Sequence, residues 1–230
     1  MTVAVSDVLS FASVVIDVDS TLCGVEGIDF LAERRGPDVG RKIVELTDRA
    51  MTGEIPLEAV YAERLTIVRP TLADIHALAQ AYIESVAPGA AKAIAAMRSA
   101  GARLALVSGG ILQAILPVAR ELGFADDEVH AVSLRFANDG AYASIDEPAP
   151  LAAQRGKPEV VSGLLATGRL VRPLLAVGDG ATDAMLVGVA DKFAAYTGFA
   201  RRASVIARAD LETRSFDELK RQVLGQGARS

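Results

Sequence analysis

Apolar residues follow two spacings along this chain, short continuous runs and a three-to-four-residue period, and the switch between them separates strands from helices. The run across residues 11–19 contains Val14-Val15-Ile16, β-branched and uninterrupted, and predicts a buried strand. Residues 28–85 show no strand pattern. Their apolar positions fall at helical spacing, first Val39, Ile43, Val44 and Leu46, then Leu57, Val60, Tyr61 and Leu65. Breaks at Gly36-Pro37, from Thr52-Gly53 to Pro56, and at Arg69-Pro70-Thr71 divide that region, each with Pro at or near a first helical position. It reads as a helical insertion between the first strand and the remainder of the chain.

From Pro88-Gly89 a helix is predicted to residue 100, with Ala90, Ile94 and Met97 on one face and Gly101 as its stop. A strand over residues 103–107 ends in Ser108-Gly109-Gly110, and a helix over 111–122, with Pro117 inside it, stops at Gly123. Residues 129–136 and 141–144 flank Asn138-Asp139-Gly140, a hairpin signal. A helix from Lys157-Pro158 to residue 166 leads to a strand over 173–177, ended by Gly178-Asp179-Gly180. A helix through Met185, Leu186 and Val189, a strand over 192–196, and short helices over 200–205 and 216–224 complete the pattern. Strands alternating with helices predict an α/β fold, a doubly wound, Rossmann-like parallel sheet. The core is expected over 1–23 and 86–230, with the insertion over 24–85. Ligands of such sheets sit beyond the carboxyl ends of the strands. The turns at Asp17, Ser108 and Asp179 are therefore expected around one crevice.

Composition narrows the classes. Apolar residues make up 51% of the 230, enough for a sizeable core, and net charge is -5 from 24 basic and 29 acidic residues. No block of like charge suggests nucleic acid or an anionic membrane as a partner. Aromatics are only 5% and Trp is absent, which argues against a base-stacking groove. With one cysteine, Cys23, no internal disulfide forms. No apolar run approaches the roughly 20 residues of a membrane span, and no basic-then-apolar leader opens the chain. A cytoplasmic protein is expected, and a homodimer is one assembly the sequence leaves open.

The chemistry lies in the strand-end turns. Asp17 and Asp19 follow the first strand at i and i+2 and so point to opposite sides. Asp17 is the candidate nucleophile, since a carboxylate can attack phosphorus and form an acyl phosphate that water then hydrolyses. Asp17 and Asp179 are hard oxygen ligands of the kind Mg²⁺ takes, and Asp183, one helical turn on, can serve the ion's outer shell. Ser108 and the Gly109 N–H make a phosphate cradle at a helix mouth. Lys157 can bond the transferring phosphoryl group or Asp17, and Asp19 can give a proton to a leaving alkoxide and later take one from water. Taken singly these are weak signals: Ser108-Gly109-Gly110 is a common strand-to-helix turn, and Lys157 a common helix-start lysine. Their order and their positions at strand ends carry the argument.

That ordered set, Asp17-Val18-Asp19-Ser20-Thr21, Ser108-Gly109, Lys157 and Gly178-Asp179-Gly180-Ala181-Thr182-Asp183, resembles the haloacid dehalogenase superfamily, phosphatase branch. Glu26-Gly27-Ile28-Asp29, Arg49-Ala50-Met51-Thr52-Gly53, Ala62-Glu63-Arg64-Leu65 and Leu134-Arg135-Phe136 are further similar to its phosphoserine phosphatase family. The resemblance implies a core sheet with a small helical cap after the first strand. It implies catalysis by Asp17, Asp19, Ser108 and Lys157, and a Mg²⁺ site at Asp17, Asp19 and Asp179 with Asp183 outside them. Glu26 would meet the substrate ammonium and Arg64 its carboxylate. Met51, Gly53, Ser108, Gly109 and Thr182 would complete the binding of a phosphorylated amino acid. A neutral sugar phosphate would leave Glu26 and Arg64 unmatched. Two alternatives stay open: a related phosphatase or phosphotransferase for another small phosphorylated metabolite, and a module that merely receives phosphate on Asp17.

Overall fold

The structure, a computed structural model, describes residues 9–51 and 57–225, with side chains described throughout except at 47–51 and 57–59. In chain order the strands are β1 (Ser13–Ile16), β2 (Arg103–Ile111), β3 (Val129–Val132), β4 (Leu134–Phe136), β5 (Tyr142–Ile145), β6 (Leu174–Gly178), β7 (Lys192–Tyr196) and β8 (Leu211–Thr213). Six of them form one parallel sheet in the order β3-β2-β1-β6-β7-β8. All four residues of β1 are at most 1% exposed, as a central strand covered on both faces requires. The chain winds outward from β1 to β3 on one side and from β6 to β8 on the other, so the order reverses beside β1. That reversal opens a crevice at the carboxyl ends of β1, β2 and β6. Ile16 lies opposite both Leu106 and Val177, and the Asp17 N–H donates to the Val177 carbonyl at 3.0 Å. The first polar residue after β1 is thereby fixed at the crevice floor.

Helices α1 (Gly27–Arg34), α2 (Pro37–Met51), α3 (Leu57–Val68) and α4 (Leu72–Glu84) lie between β1 and α5 (Ala90–Ser99). Then come α6 (Leu112–Glu121), α7 (Gly156–Ala166), α8 (Ala203–Ile206) and α9 (Phe216–Val223). Helices α1, α2 and α3 pack on one another, α4 packs along α6, and α5 along α9. Thr71 caps α4: its hydroxyl accepts from the Asp74 N–H at 3.3 Å, and Asp74 accepts from the Thr71 N–H at 2.8 Å. Gly101, at φ +94°, stops α5 where the sequence predicts. Helix α6 continues through Pro117. Among the described residues no helix is long and apolar enough to cross a membrane.

Several elements differ from the sequence reading. The first strand spans only Ser13–Ile16, because beyond the Asp17 N–H bond to Val177 the Asp17 carbonyl accepts the Leu22 N–H, at 3.3 Å, within the following turn. The expected strand over 129–136 divides in two: β3 joins the large sheet beside β2, while β4 pairs with β5 in a separate antiparallel hairpin. The division falls at Ser133, where Gln113 of α6 donates to the Leu134 carbonyl at 2.7 Å and accepts from its N–H at 3.2 Å. Strand β2 continues to Ile111 through an irregular register past Val107. The helix expected through Met185 is a single 3₁₀ turn, Asp183–Leu186. Strand β8 was not predicted, since the three residues Leu-Glu-Thr carry too short a pattern to register.

Candidate active site

Asp17, Ser108, Lys157, Asp179 and Asp183 converge at the crevice, each 6% exposed or less. Ionisable side chains are this deeply buried only when paired. Lys157, in the first turn of α7, places Nζ 2.7 Å from Asp17 Oδ1 and 2.6 Å from Asp183 Oδ1. Burial works against the ammonium charge, but Asp17 and Asp183 outweigh it and raise the lysine above its ordinary range. Asp183 opens the 3₁₀ turn and accepts the Gly180 N–H on Oδ2 at 2.9 Å. Burial, and then the charge of Asp17, push its carboxyl up, against the pull of Lys157. Thr21, fully buried, donates to Asp179 Oδ1 at 3.1 Å and so sets the orientation of that carboxylate.

One oxygen from each of Asp17, Asp179 and Asp183 lies within 4.8 Å of the others. Asp17 Oδ1 and Asp179 Oδ2 are buried and accept no aligned hydrogen bond; each meets only a cation, Lys157 and Arg202 respectively. Such a cluster of hard, under-used oxygens fits a divalent cation. The carboxylate of Asp19 stands apart from it. Its Oδ1 accepts from the Tyr82 hydroxyl at 2.5 Å and its Oδ2 from the Gly27 N–H at 3.0 Å. Both side-chain oxygens are thus engaged away from the cluster. Burial raises the Asp19 carboxyl to about 7; Asp17 and Glu26 add to this, while the bonds from Tyr82 and Gly27 oppose it.

A cleft of about 230 Å³ opens above these residues. Asp17, Asp19, Ser108, Gly109 and Gly110 form its floor, with Thr182 beside them. Ser108 Oγ accepts the Gly110 N–H at 3.0 Å. Glu26, Ile28, Tyr61 and Arg64 line the same cleft, so an anionic and a cationic side chain share it with the strand-end acids. Glu26 accepts from Ser20 Oγ at 2.7 Å and from Arg202 at 3.2 Å; Ser20 holds a left-handed φ of 51° to make that bond. Arg64 pairs with Asp29, and its Nε is buried without a hydrogen-bond partner. The expected substrate residues Met51 and Gly53 cannot be placed, because the Met51 side chain and all of Gly53 lie outside the described residues. Cys23 is fully buried and burial raises its thiol, which leaves it an inert packing residue. Neither His76 nor His130 lines the cleft.

Three residues here were not singled out from the sequence. Tyr82 belongs to the stripe Ile75, Leu78, Ala79, Tyr82 on α4 and reads as core. Tyr61 belongs to a similar stripe on α3, yet its buried hydroxyl has no partner and it lines the cleft. Arg202, which bridges Glu26 and Asp179, stands in the segment read as a short helix over 200–205, where it looks like an ordinary surface arginine.

Residues 14–187 match the haloacid dehalogenase-like hydrolase family. The chain is 37% identical over 212 residues to the chloroplastic phosphoserine phosphatase of Arabidopsis thaliana, covering 91% of this chain and 71% of that one. It is 33% identical over 207 residues to the phosphoserine phosphatase of Homo sapiens, covering 90% and 91%. A solved structure, of a phosphoserine phosphohydrolase-like protein from Francisella tularensis subsp. tularensis SCHU S4, aligns with a TM-score of 0.77 at 26% identity, covering 90% of this chain and 97% of that one. A strand-end aspartate held by a buried lysine, within a fold and a sequence shared this widely, leaves one assignment: the chain belongs to the haloacid dehalogenase-like hydrolases and, among them, to the phosphoserine phosphatase family.

Proposed function

We propose that this chain is a Mg²⁺-dependent phosphomonoesterase that hydrolyses O-phospho-L-serine to L-serine and phosphate, the last step of serine biosynthesis. The observation that carries the reading is the Asp17–Lys157 contact, at 2.7 Å, together with Glu26 and Arg64 in the lining of the cleft that Asp17 also lines. O-Phosphoserine offers a phosphate at one end and an ammonium and a carboxylate at the other. The floor suits the first, and the Glu26 and Arg64 side chains suit the second.

Asp17, Asp179 and Asp183 would hold Mg²⁺, with Asp19 beside them in the same turn as Asp17; when bound, the ion would neutralise phosphate charge. Asp17 attacks phosphorus as the bond to the serine oxygen breaks, and Asp19 gives that oxygen its proton. Water then attacks the phosphorus of phosphorylated Asp17, Asp19 takes the water's proton, and phosphate leaves with Asp17 regenerated. Ser108, the Gly109 N–H and Lys157 hold the phosphoryl oxygens, and Thr182 stands at their side. Helices over 24–85 form the cap that shields the reaction from bulk water.

The test is phosphate release from a panel of small phosphomonoesters, with Mg²⁺ and with chelator. A strong preference for O-phospho-L-serine, lost on chelation, is expected. Release that favours an ester lacking the amino-acid end would reject the roles of Glu26 and Arg64. Turnover by Asp17→Asn would reject the nucleophile.

A further inference from the structure

The hydroxyl of Tyr82 ends on Asp19, a carboxylate of the cleft that stands outside the acidic cluster. The ring is fully buried on α4, a helix that packs along α6 and so is anchored on the core sheet's own helices. Its hydroxyl donates to Asp19 Oδ1 at 2.5 Å, and the Gly27 N–H donates to Oδ2 at 3.0 Å. Each oxygen of Asp19 thus receives one fixed donor from outside the strand-end turn, and the carboxyl still lines the cleft. Gly27 is part of the same arrangement. A Cβ built there would lie 2.5 Å from the Tyr82 hydroxyl oxygen, so a side chain at position 27 would evict it.

A phenylalanine would fill the hydrophobic stripe of α4 equally well. What a tyrosine adds is a polar atom that is costly to bury without a partner. Here the partner is a carboxyl that lines the cleft, the one to which the proposed function gives the leaving group's proton. A flexible aspartate samples several rotamers, and a proton transfer needs heavy atoms about 2.6–3.2 Å apart. Holding one rotamer in advance removes that search from the barrier.

We propose that Tyr82 is a positioning residue: its hydroxyl, with the Gly27 N–H, fixes Asp19 in the orientation from which it passes a proton to the departing alkoxide. This rests on the proposed function. It adds a residue whose contribution depends on the leaving group, because an acidic phenol departs without help from an acid while a serine alkoxide does not.

Tyr82→Phe, which keeps the ring, is assayed on O-phospho-L-serine and on p-nitrophenyl phosphate. For phosphoserine, kcat falls about tenfold, a part of the roughly 10²–10⁴ that general acid–base catalysis supplies, with KM within about twofold. The pre-steady-state burst of p-nitrophenol, which reports attack by Asp17, keeps its rate. Gly27→Ala, which crowds the hydroxyl from the other side, gives the same signature and covers the case in which Tyr82→Phe does not fold. A p-nitrophenol burst that slows as much as phosphoserine turnover would overturn the proposal, since attack by Asp17 on an acidic leaving group needs no acid and such a loss marks a packing defect. Unchanged kcat on phosphoserine would overturn it too, leaving the function intact. A wild-type chain inactive on phosphoserine would overturn the function and, with it, the role of Tyr82.

Discussion

Lys157 reaches Asp17 with Nζ 2.7 Å from Oδ1, and both side chains are under a tenth exposed. The same ammonium lies 2.6 Å from Asp183, so one cation offsets two buried acids. Lys157→Ala strands both carboxylates. Removing one partner of a buried ion pair costs about 3–5 kcal/mol, and losing a charged phosphoryl contact costs roughly 10²-fold or more in kcat. Both losses are expected, in urea unfolding and in phosphate release. Added Mg²⁺ should recover part of the stability, because it supplies positive charge to the same oxygens, and should not recover the rate. A variant as stable and active as the parent would remove Lys157 from the mechanism.

Arg202 makes an ion pair with Asp179 Oδ2 and lies 3.2 Å from Glu26. That Asp179 oxygen is one the acidic cluster offers a cation, so guanidinium and metal compete for it. Arg202→Ala is expected to tighten Mg²⁺ binding by about twofold to fivefold, the scale of a partly exposed ion pair, as read by isothermal titration calorimetry without substrate. Weaker Mg²⁺ binding by the variant would mean that Arg202 assists the site instead of competing.

The central strands were legible because each is an apolar run that ends abruptly in an acid or a Ser-Gly turn, and those ends are where the buried acids gather. Asp17, Ser108, Lys157, Asp179 and Asp183 come together because β1, β2 and β6 are neighbours and α7 begins beside them. Contacts made across the fold were not legible. Tyr82 meets Asp19 from 63 residues away, and its helical stripe makes it look like any other core residue. Arg202 meets Glu26 across 176 residues. Strand β8 owes its existence to pairing with β7, not to its own three residues. Splitting of the 129–136 run depends on Gln113, a side chain from another element.

Arg64 bears on substrate choice. Its partner is Asp29, half exposed, while its Nε is buried and free of hydrogen bonds and the side chain lines the cleft. A hydrogen bond to a charged group is worth about 1.5–3 kcal/mol. Arg64→Ala is therefore expected to raise KM for O-phospho-L-serine by roughly tenfold to a hundredfold. O-Phosphoethanolamine, which lacks the carboxylate, should show little change. Equal losses on both esters would place the carboxylate elsewhere.

Asp74 is 7% exposed and joins two helices of the 24–85 region. It accepts the Thr71 N–H and hydroxyl at 2.8 and 2.7 Å, closing the cap of α4, and pairs with Arg35 at 2.5 Å just past the end of α1. Burial works to raise its pKa, but the Thr71 bonds, then Arg35 and Arg34, outweigh it and hold the carboxyl below its ordinary value of 3.8. A carboxyl lowered on folding stabilises the native state above its unfolded pKa, and that contribution is lost as pH falls through the folded value. Asp74→Ala is expected to lower unfolding free energy by about 1–2 kcal/mol at pH 7, the scale of a lost helix cap. The gap between variant and parent should stay constant down to about pH 4 and close below it, as urea unfolding across that range would read. A gap that persists unchanged at pH 3 would show that Asp74 contributes through packing and not through its charge.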